Sequence, residues 1–243
     1  MKIIVTKNYD EMSCVAADYL AEALRANPEF VLGLATGSTP VGMYHKLAEL
    51  CQAGTLDFSK VSTVNLDEYY PISPENDQSY RYFMNYHLFD RVNIDKANTS
   101  VPDGTVAPEK VDEFCRAYED KIDALGGIDV QVLGIGQNGH IGFNEPDDEL
   151  ICITHLTGLT PNTITANSRF FESEADVPKH ALTMGIQSVF KAKKILFLAS
   201  GKNKAEAVKT MLSGKITTQC PASLLSLHPD VTIICDEDAY SLV

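Results

Sequence analysis

Val130-Gln131-Val132-Leu133-Gly134-Ile135-Gly136-Gln137-Asn138-Gly139-His140-Ile141-Gly142-Phe143-Asn144-Glu145-Pro146 joins an apolar run to four glycines within nine residues. A run of this kind, without polar alternation, is what a parallel strand covered on both faces leaves in a sequence. A glycine-dense loop at its carboxyl end lies where an open α/β sheet binds its ligand. Working outward, short β-rich runs recur at Lys2 to Thr6, Val31 to Ala35, Val61 to Leu66, Lys194 to Ala199 and Val231 to Cys235, with the central strand predicted from Val130 to Ile135. Between them, apolar residues recur at helical spacing: Val15, Leu20, Ala23 and Leu24; Val41, Tyr44, Leu47, Ala48 and Cys51; Phe114, Tyr118, Ile122 and Leu125. Alternating strands and helices predict an α/β fold, a mostly parallel twisted sheet with helices on both faces. There is no repeat, low-complexity tract or linker, so residues 1–243 are expected to form a single domain. The stretch from Pro146 to about Pro178, rich in Thr, Asn and Asp and without a period, predicts a long excursion of the kind that forms lids.

Composition narrows the function. A net charge of -13 with 20 scattered basic residues excludes a nucleic-acid surface, because phosphate backbones are bound by clustered Lys and Arg. An anionic ligand must therefore meet a local positive site. The six cysteines are far apart, with no Cys-x-x-Cys pair and no His at zinc-finger spacing, so reduced thiols are expected and no metal. The opening apolar run is too short for a signal peptide and no stretch approaches the ~20 residues of a membrane span, so a cytoplasmic location and no membrane partner are expected.

Four places after strands carry chemistry. In Leu34-Ala35-Thr36-Gly37-Ser38-Thr39-Pro40 a glycine and hydroxyl residues precede a predicted helix, the outline of an anion cradle or of an ordinary Ser/Thr helix cap. The Gly-Lys-Ser/Thr ending of a nucleotide-hydrolysing loop is missing. In Val64-Asn65-Leu66-Asp67-Glu68-Tyr69-Tyr70, a carboxylate flanked by aromatic rings suits a base that removes a carbon-bound proton, the alternative being a cap or turn. In the loop Gly134 to Pro146, the glycines bring His140 and backbone N–H groups against a ligand, and Glu145 can orient the imidazole. A dinucleotide fingerprint is disfavoured there, since no acid ends a strand about 20 residues later. Last, Asn167-Ser168-Arg169-Phe170-Phe171 and Ser200-Gly201-Lys202-Asn203-Lys204-Ala205 supply cations; the second opens a helix with the apolar face Ala205, Val208 and Leu212. A lysine in a first turn opposes the helix dipole, so it marks either a bound anion or a solvated surface residue.

These motifs, in this order and over nearly the whole chain, resemble the glucosamine-6-phosphate deaminase (isomerase) family: Thr-Gly-Ser-Thr-Pro, Asn-Leu-Asp-Glu-Tyr, Gly-x-Gly-x-Asn-Gly-His-Ile-Gly-Phe-Asn-Glu-Pro, Ala-Asn-Ser-Arg-Phe-Phe and Leu-His-Pro. The resemblance implies a Rossmann-like fold and amino-sugar catabolism by a deaminating isomerase of hydrolase type, turning glucosamine 6-phosphate and water into fructose 6-phosphate and ammonium. It implies that Thr36, Gly37, Ser38, Thr39, Arg169 and Lys204 hold the sugar phosphate. Asp67 would be the base, His140 the ring-opening group, and Asn138 and Glu145 its partners. No cofactor is implied, and the only partner expected is the small amino-sugar phosphate, with a monomer favoured over a homo-oligomer.

Two departures stand out. Many relatives carry Asp where this chain has Asn138, which leaves Glu145 as the charged partner of His140. Members activated by N-acetylglucosamine 6-phosphate carry small hydroxyl and basic residues just after Phe-Asn-Glu-Pro and a longer C-terminus, whereas here Asp147-Asp148-Glu149 follows and the sequence stops at Val243. Acids repel a second phosphate, so an unregulated enzyme with hyperbolic kinetics is expected. The competing expectations are a 6-phosphogluconolactonase, which shares the fold and a Gly-His loop but lacks the Phe-Asn-Glu-Pro ending, and a sugar-phosphate sensor, which normally adds a basic helix-turn-helix.

Overall fold

Among the described residues, ten strands form two sheets: β1 (Lys2–Thr6), β2 (Val31–Leu34), β3 (Ser62–Asn65), β4 (Asp67–Tyr70), β5 (Thr99–Ser100), β6 (Val130–Leu133), β7 (His155–Gly158), β8 (His180–Thr183), β9 (Lys194–Ala199) and β10 (Val231–Asp236). The helices are α1 (Tyr9–Ala26), α2 (Val41–Gln52), α3 (Tyr80–His87), α4 (Val111–Ala124), α5 (Pro161–Asn167), α6 (Ile186–Phe190), α7 (Ala205–Met211) and α8 (Glu237–Tyr240). These come from a computed structural model that describes residues 1–167, 171, 173 and 176–243. Seven strands make a sheet in the order β1-β10-β9-β6-β2-β3-β5, with every neighbouring pair parallel. Every residue of β2, β6 and β10 is buried, which is why these runs show no polar alternation. At one edge, β1 leaves Ile3 and Val5 exposed, so its apolar run is only half used.

Helix α1 shows how local chemistry meets packing. Asn8 caps it by accepting the Glu11 N–H at 3.0 Å. Met12, Ala16, Ala17, Leu20 and Leu24 then repeat at three- and four-residue steps and are buried, while acidic residues occupy the first turn. No helix among the described residues is long and apolar enough to cross a membrane.

Two sequence expectations change. The run predicted as one strand from Val61 to Leu66 ends at Asn65, and Asp67 begins β4, which leaves the main sheet and pairs antiparallel with β8. The stretch from Pro146 to Pro178 is not patternless: it contains β7, which pairs with β8 to complete a three-stranded antiparallel sheet β4-β8-β7, and helix α5. Four-residue strands carrying His, Thr and Gly have neither an apolar run nor enough alternation to stand out. On α7 the buried positions are Ala205, Ala207, Val208 and Met211, with Leu212 only partly buried beyond the helix end.

Candidate active site

The carboxyl ends of β9, β6, β2 and β3, four adjacent strands, converge on one cavity of about 470 Å³. The sheet order reverses around β2, so the cavity lies where an open α/β sheet places its ligand. It is lined by Thr36, Gly37, Ser38 and Thr39 after β2, Asp67 after β3, Gly134 to Gln137 with His140 after β6, and Ser200, Asn203 and Lys204 after β9.

The cradle after β2 turns on Gly37, whose φ of 94° lies in the left-handed region that side chains resist. Pro40 precedes the helix and α2 starts at Val41. Across the cavity, Ser200 and the Gly201 N–H both donate to the Asp236 carboxylate. That holds the turn from which Lys204 reaches the loop after β6, donating to the Ile135 carbonyl at 2.7 Å. Thr36, Gly37, Ser38, Thr39 and Lys204 are thus brought together. Arg169 lies outside the described residues.

His140 sits on the backbone of its own loop. A Cβ on Gly136 would stand 2.3 Å from the imidazole, so only glycine there admits the ring. Behind the ring, Glu145 is buried and accepts from three groups. His140 Nδ1 is 3.2 Å from Oε2, Asn138 Nδ2 donates to the same oxygen at 2.7 Å, and the Thr163 hydroxyl donates to Oε1. Burial alone pushes the Glu145 carboxyl up, but the hydrogen bond and charge of His140, with Thr163 and Asn138, hold it down at about 2. Glu145 is therefore a fixed anion beside His140, and Asn138 contributes a donor to Glu145 rather than charge.

Asp67 faces the cavity from the first position of β4 and is 6% exposed. Burial, then the neighbouring Glu68 charge, push its carboxyl up to about 8. Glu68 points the other way, as strand alternation requires, and accepts the N–H groups of Tyr69, Tyr80 and Arg81 at 2.8–2.9 Å. The two tyrosines of the motif part in the same manner. Tyr69 joins Tyr80, Phe143 and Phe171 in an aromatic cluster, whereas Tyr70 turns away to donate to the Val106 carbonyl.

Strand β8 fixes the His140 loop relative to Asp67. Thr183 is the strand partner of Asp67 and its hydroxyl accepts the Phe143 N–H at 3.1 Å. Asn144 Nδ2 donates to the Met184 carbonyl at 2.8 Å, pinning the next residue of the loop. A buried carboxyl and a histidine–carboxylate pair thus line one cavity on a shared, buried support.

Two lining residues escaped the sequence reading. Tyr80, hydrogen-bonded with Tyr69 and Thr36, stands beside Asp67, and its one local signal was Ser79, which caps α3 ahead of an aromatic run. Thr163 arrives from α5, and nothing in its sequence neighbourhood points to Glu145.

The chain matches the family described as "Glucosamine-6-phosphate isomerases/6-phosphogluconolactonase" over residues 8–234. A glucosamine-6-phosphate deaminase from Clostridium perfringens is 58% identical, with 100% of both chains covered. One from Thermoanaerobacter pseudethanolicus is 54% identical over 100% of this chain and 95% of its own. The solved structure of a monomeric glucosamine-6-phosphate deaminase of the NagB superfamily superposes with a TM-score of 0.97 at 45% identity, covering 100% of each chain. A 6-phosphogluconolactonase from Trypanosoma cruzi shares the fold, with a TM-score of 0.78 at 21% identity over 99% of this chain and 96% of that one.

Proposed function

Because the chain belongs to the glucosamine-6-phosphate isomerase/6-phosphogluconolactonase family, we propose that it is a deaminase converting glucosamine 6-phosphate and water to fructose 6-phosphate and ammonium. The observation that carries this reading is the cavity in which Asp67 and His140, the latter backed by Glu145, stand together with the hydroxyl-lined cradle and Lys204. The cradle, Lys204 and Arg169 hold the phosphate. His140 moves a proton from the anomeric hydroxyl to the ring oxygen, opening the pyranose, while Glu145 fixes the orientation of the imidazole. Asp67 then removes the proton on C2 and returns it at C1, while O1 gains the proton that the C2 ammonium gives up, so the carbonyl carbon becomes an alcohol and C2 an iminium. Water adds to that carbon and ammonium leaves. A substrate bearing an ammonium group at C2 favours the ionised form of a buried carboxylate beside it, which suits a base whose pKa is raised by burial.

The reaction is not a simple hydrolysis, contrary to the expectation of a hydrolase type. Addition of water is only the last step, and the proton transfer between C2 and C1 makes the reaction an isomerisation coupled to deamination.

In this reading the segment of residues 146–178 is a lid on a single-domain enzyme, and limited proteolysis within it should slow when a substrate analogue is bound. The protein acts as a monomer, as its 45% identical structural neighbour is described, which sedimentation would check. The central test is a coupled assay in EDTA. Ammonium and fructose 6-phosphate should appear together from glucosamine 6-phosphate; lactone hydrolysis without ammonium release would instead make it a 6-phosphogluconolactonase.

A further inference from the structure

The phosphate cradle is held from outside the active site. Tyr9, the first residue of α1, lies 29 positions before Ser38, yet its hydroxyl donates to the Ser38 carbonyl at 3.0 Å. The same oxygen accepts the Gly42 N–H at 2.8 Å. One hydroxyl therefore spans the cradle from its middle to the first turn of α2. The close approach has a steric condition: a Cβ on Gly42 would stand 2.3 Å from Ser13 Oγ and 3.2 Å from the Tyr9 ring, so α1 and α2 meet only because position 42 has no side chain. A second cavity of about 380 Å³, lined by Tyr9, Ser38, Thr39, Val41 and Ser200, adjoins the first and shares Ser38, Thr39 and Ser200 with it, so the loop beside Tyr9 borders open space rather than packed core.

We propose that Tyr9 is a positioning residue for the phosphate site, acting through Ser38 and Gly42 and touching no substrate. Two consequences follow. With the Ser38 carbonyl drawn outward, the peptide around Ser38 and Thr39 keeps one orientation toward the active-site cavity. With the Gly42 N–H satisfied by Tyr9, a first-turn donor of α2 is withheld from the anion, so the phosphate is directed to the loop of Thr36 to Thr39 rather than to the helix end.

The inference rests on the phosphate reading of the cradle, and the experiment separates the two. Tyr9→Phe keeps the ring and removes only the hydroxyl. Inorganic phosphate is the probe, measured as a competitive inhibitor of both proteins beside KM and kcat for glucosamine 6-phosphate. The expected result is an increase of about tenfold in the phosphate Ki and in KM, with kcat changed by less than about twofold, since one hydrogen bond to the loop and one to the first turn of α2 are lost and none to the reacting atoms. Equal phosphate Ki values, or a loss in kcat with KM unchanged, would overturn the role of Tyr9. A wild-type enzyme that inorganic phosphate does not inhibit would overturn the phosphate reading itself.

Discussion

Replacing Asp67 by Asn should abolish turnover and stabilise the protein, by an amount that depends on pH. The carboxyl is 6% exposed, and burial followed by the Glu68 charge lift its pKa from 3.8 to about 8. Between those values the folded protein keeps a proton that the unfolded chain releases, so stability falls as pH rises through that window and levels off above about 8. Each unit is worth about 1.4 kcal/mol, which puts the penalty at about 4 kcal/mol near pH 7 and about 5 kcal/mol near pH 8. Asn has nearly the shape of the neutral acid and carries no such penalty. The difference in unfolding free energy between variant and wild type should therefore grow by about 3 kcal/mol from about pH 5 to about pH 7.5. Glu68 remains in both proteins, and the loss of its repulsion with Asp67 adds to the difference in the same direction. Urea unfolding across that range measures it, and ammonium release, expected to fall at least about a thousandfold, reports the lost base. A difference that stays flat with pH, or a variant less stable than wild type throughout, would refute the argument that burial of a charge at this position opposes folding.

The partners of His140 make unequal contributions. Glu145→Gln removes the negative charge beside His140 and replaces one of the two accepting oxygens by an amide donor, and should lower kcat by about a hundredfold or more, whereas Asn138→Ala leaves the Glu145 contact intact and should cost about tenfold; comparable losses would refute that ordering. Thr163→Val removes a donor to Glu145 at nearly constant volume and should lower kcat about fivefold, with Thr163→Ser restoring it, and a serine variant as slow as the valine one would deny the hydroxyl a role. Gly136→Ala forces the His140 ring off the loop and should cost about a hundredfold in kcat with little change in phosphate inhibition; near-normal turnover would show that the ring has room. Initial rates should follow a hyperbola in substrate, because Asp147, Asp148 and Glu149 repel a second phosphate; a sigmoid relieved by N-acetylglucosamine 6-phosphate would overturn this.

What the amino-acid sequence determined by itself was whatever depends on neighbours along the chain. The parallel sheet was legible because burial on both faces demands continuous apolar runs such as Ile195 to Ala199. The sites were legible where special backbone is needed, at Gly37 in the cradle and at the glycines around His140. Glu145 could be paired with His140 because only five residues separate them. The tertiary structure alone decided what arrives through space. Tyr80 beside Asp67, Thr163 on Glu145 and Tyr9 behind Ser38 come from separate elements, and no local pattern encodes such meetings. Strands β4, β7 and β8 were invisible for a related reason: four residues of mixed polarity become a sheet only when their partners supply the hydrogen bonds. The sharpest case is Asp67. Its identity as an acid after an apolar run, with Glu68 next to it, could be read off the chain, but its raised pKa could not, because the desolvation that dominates it belongs to the folded surroundings.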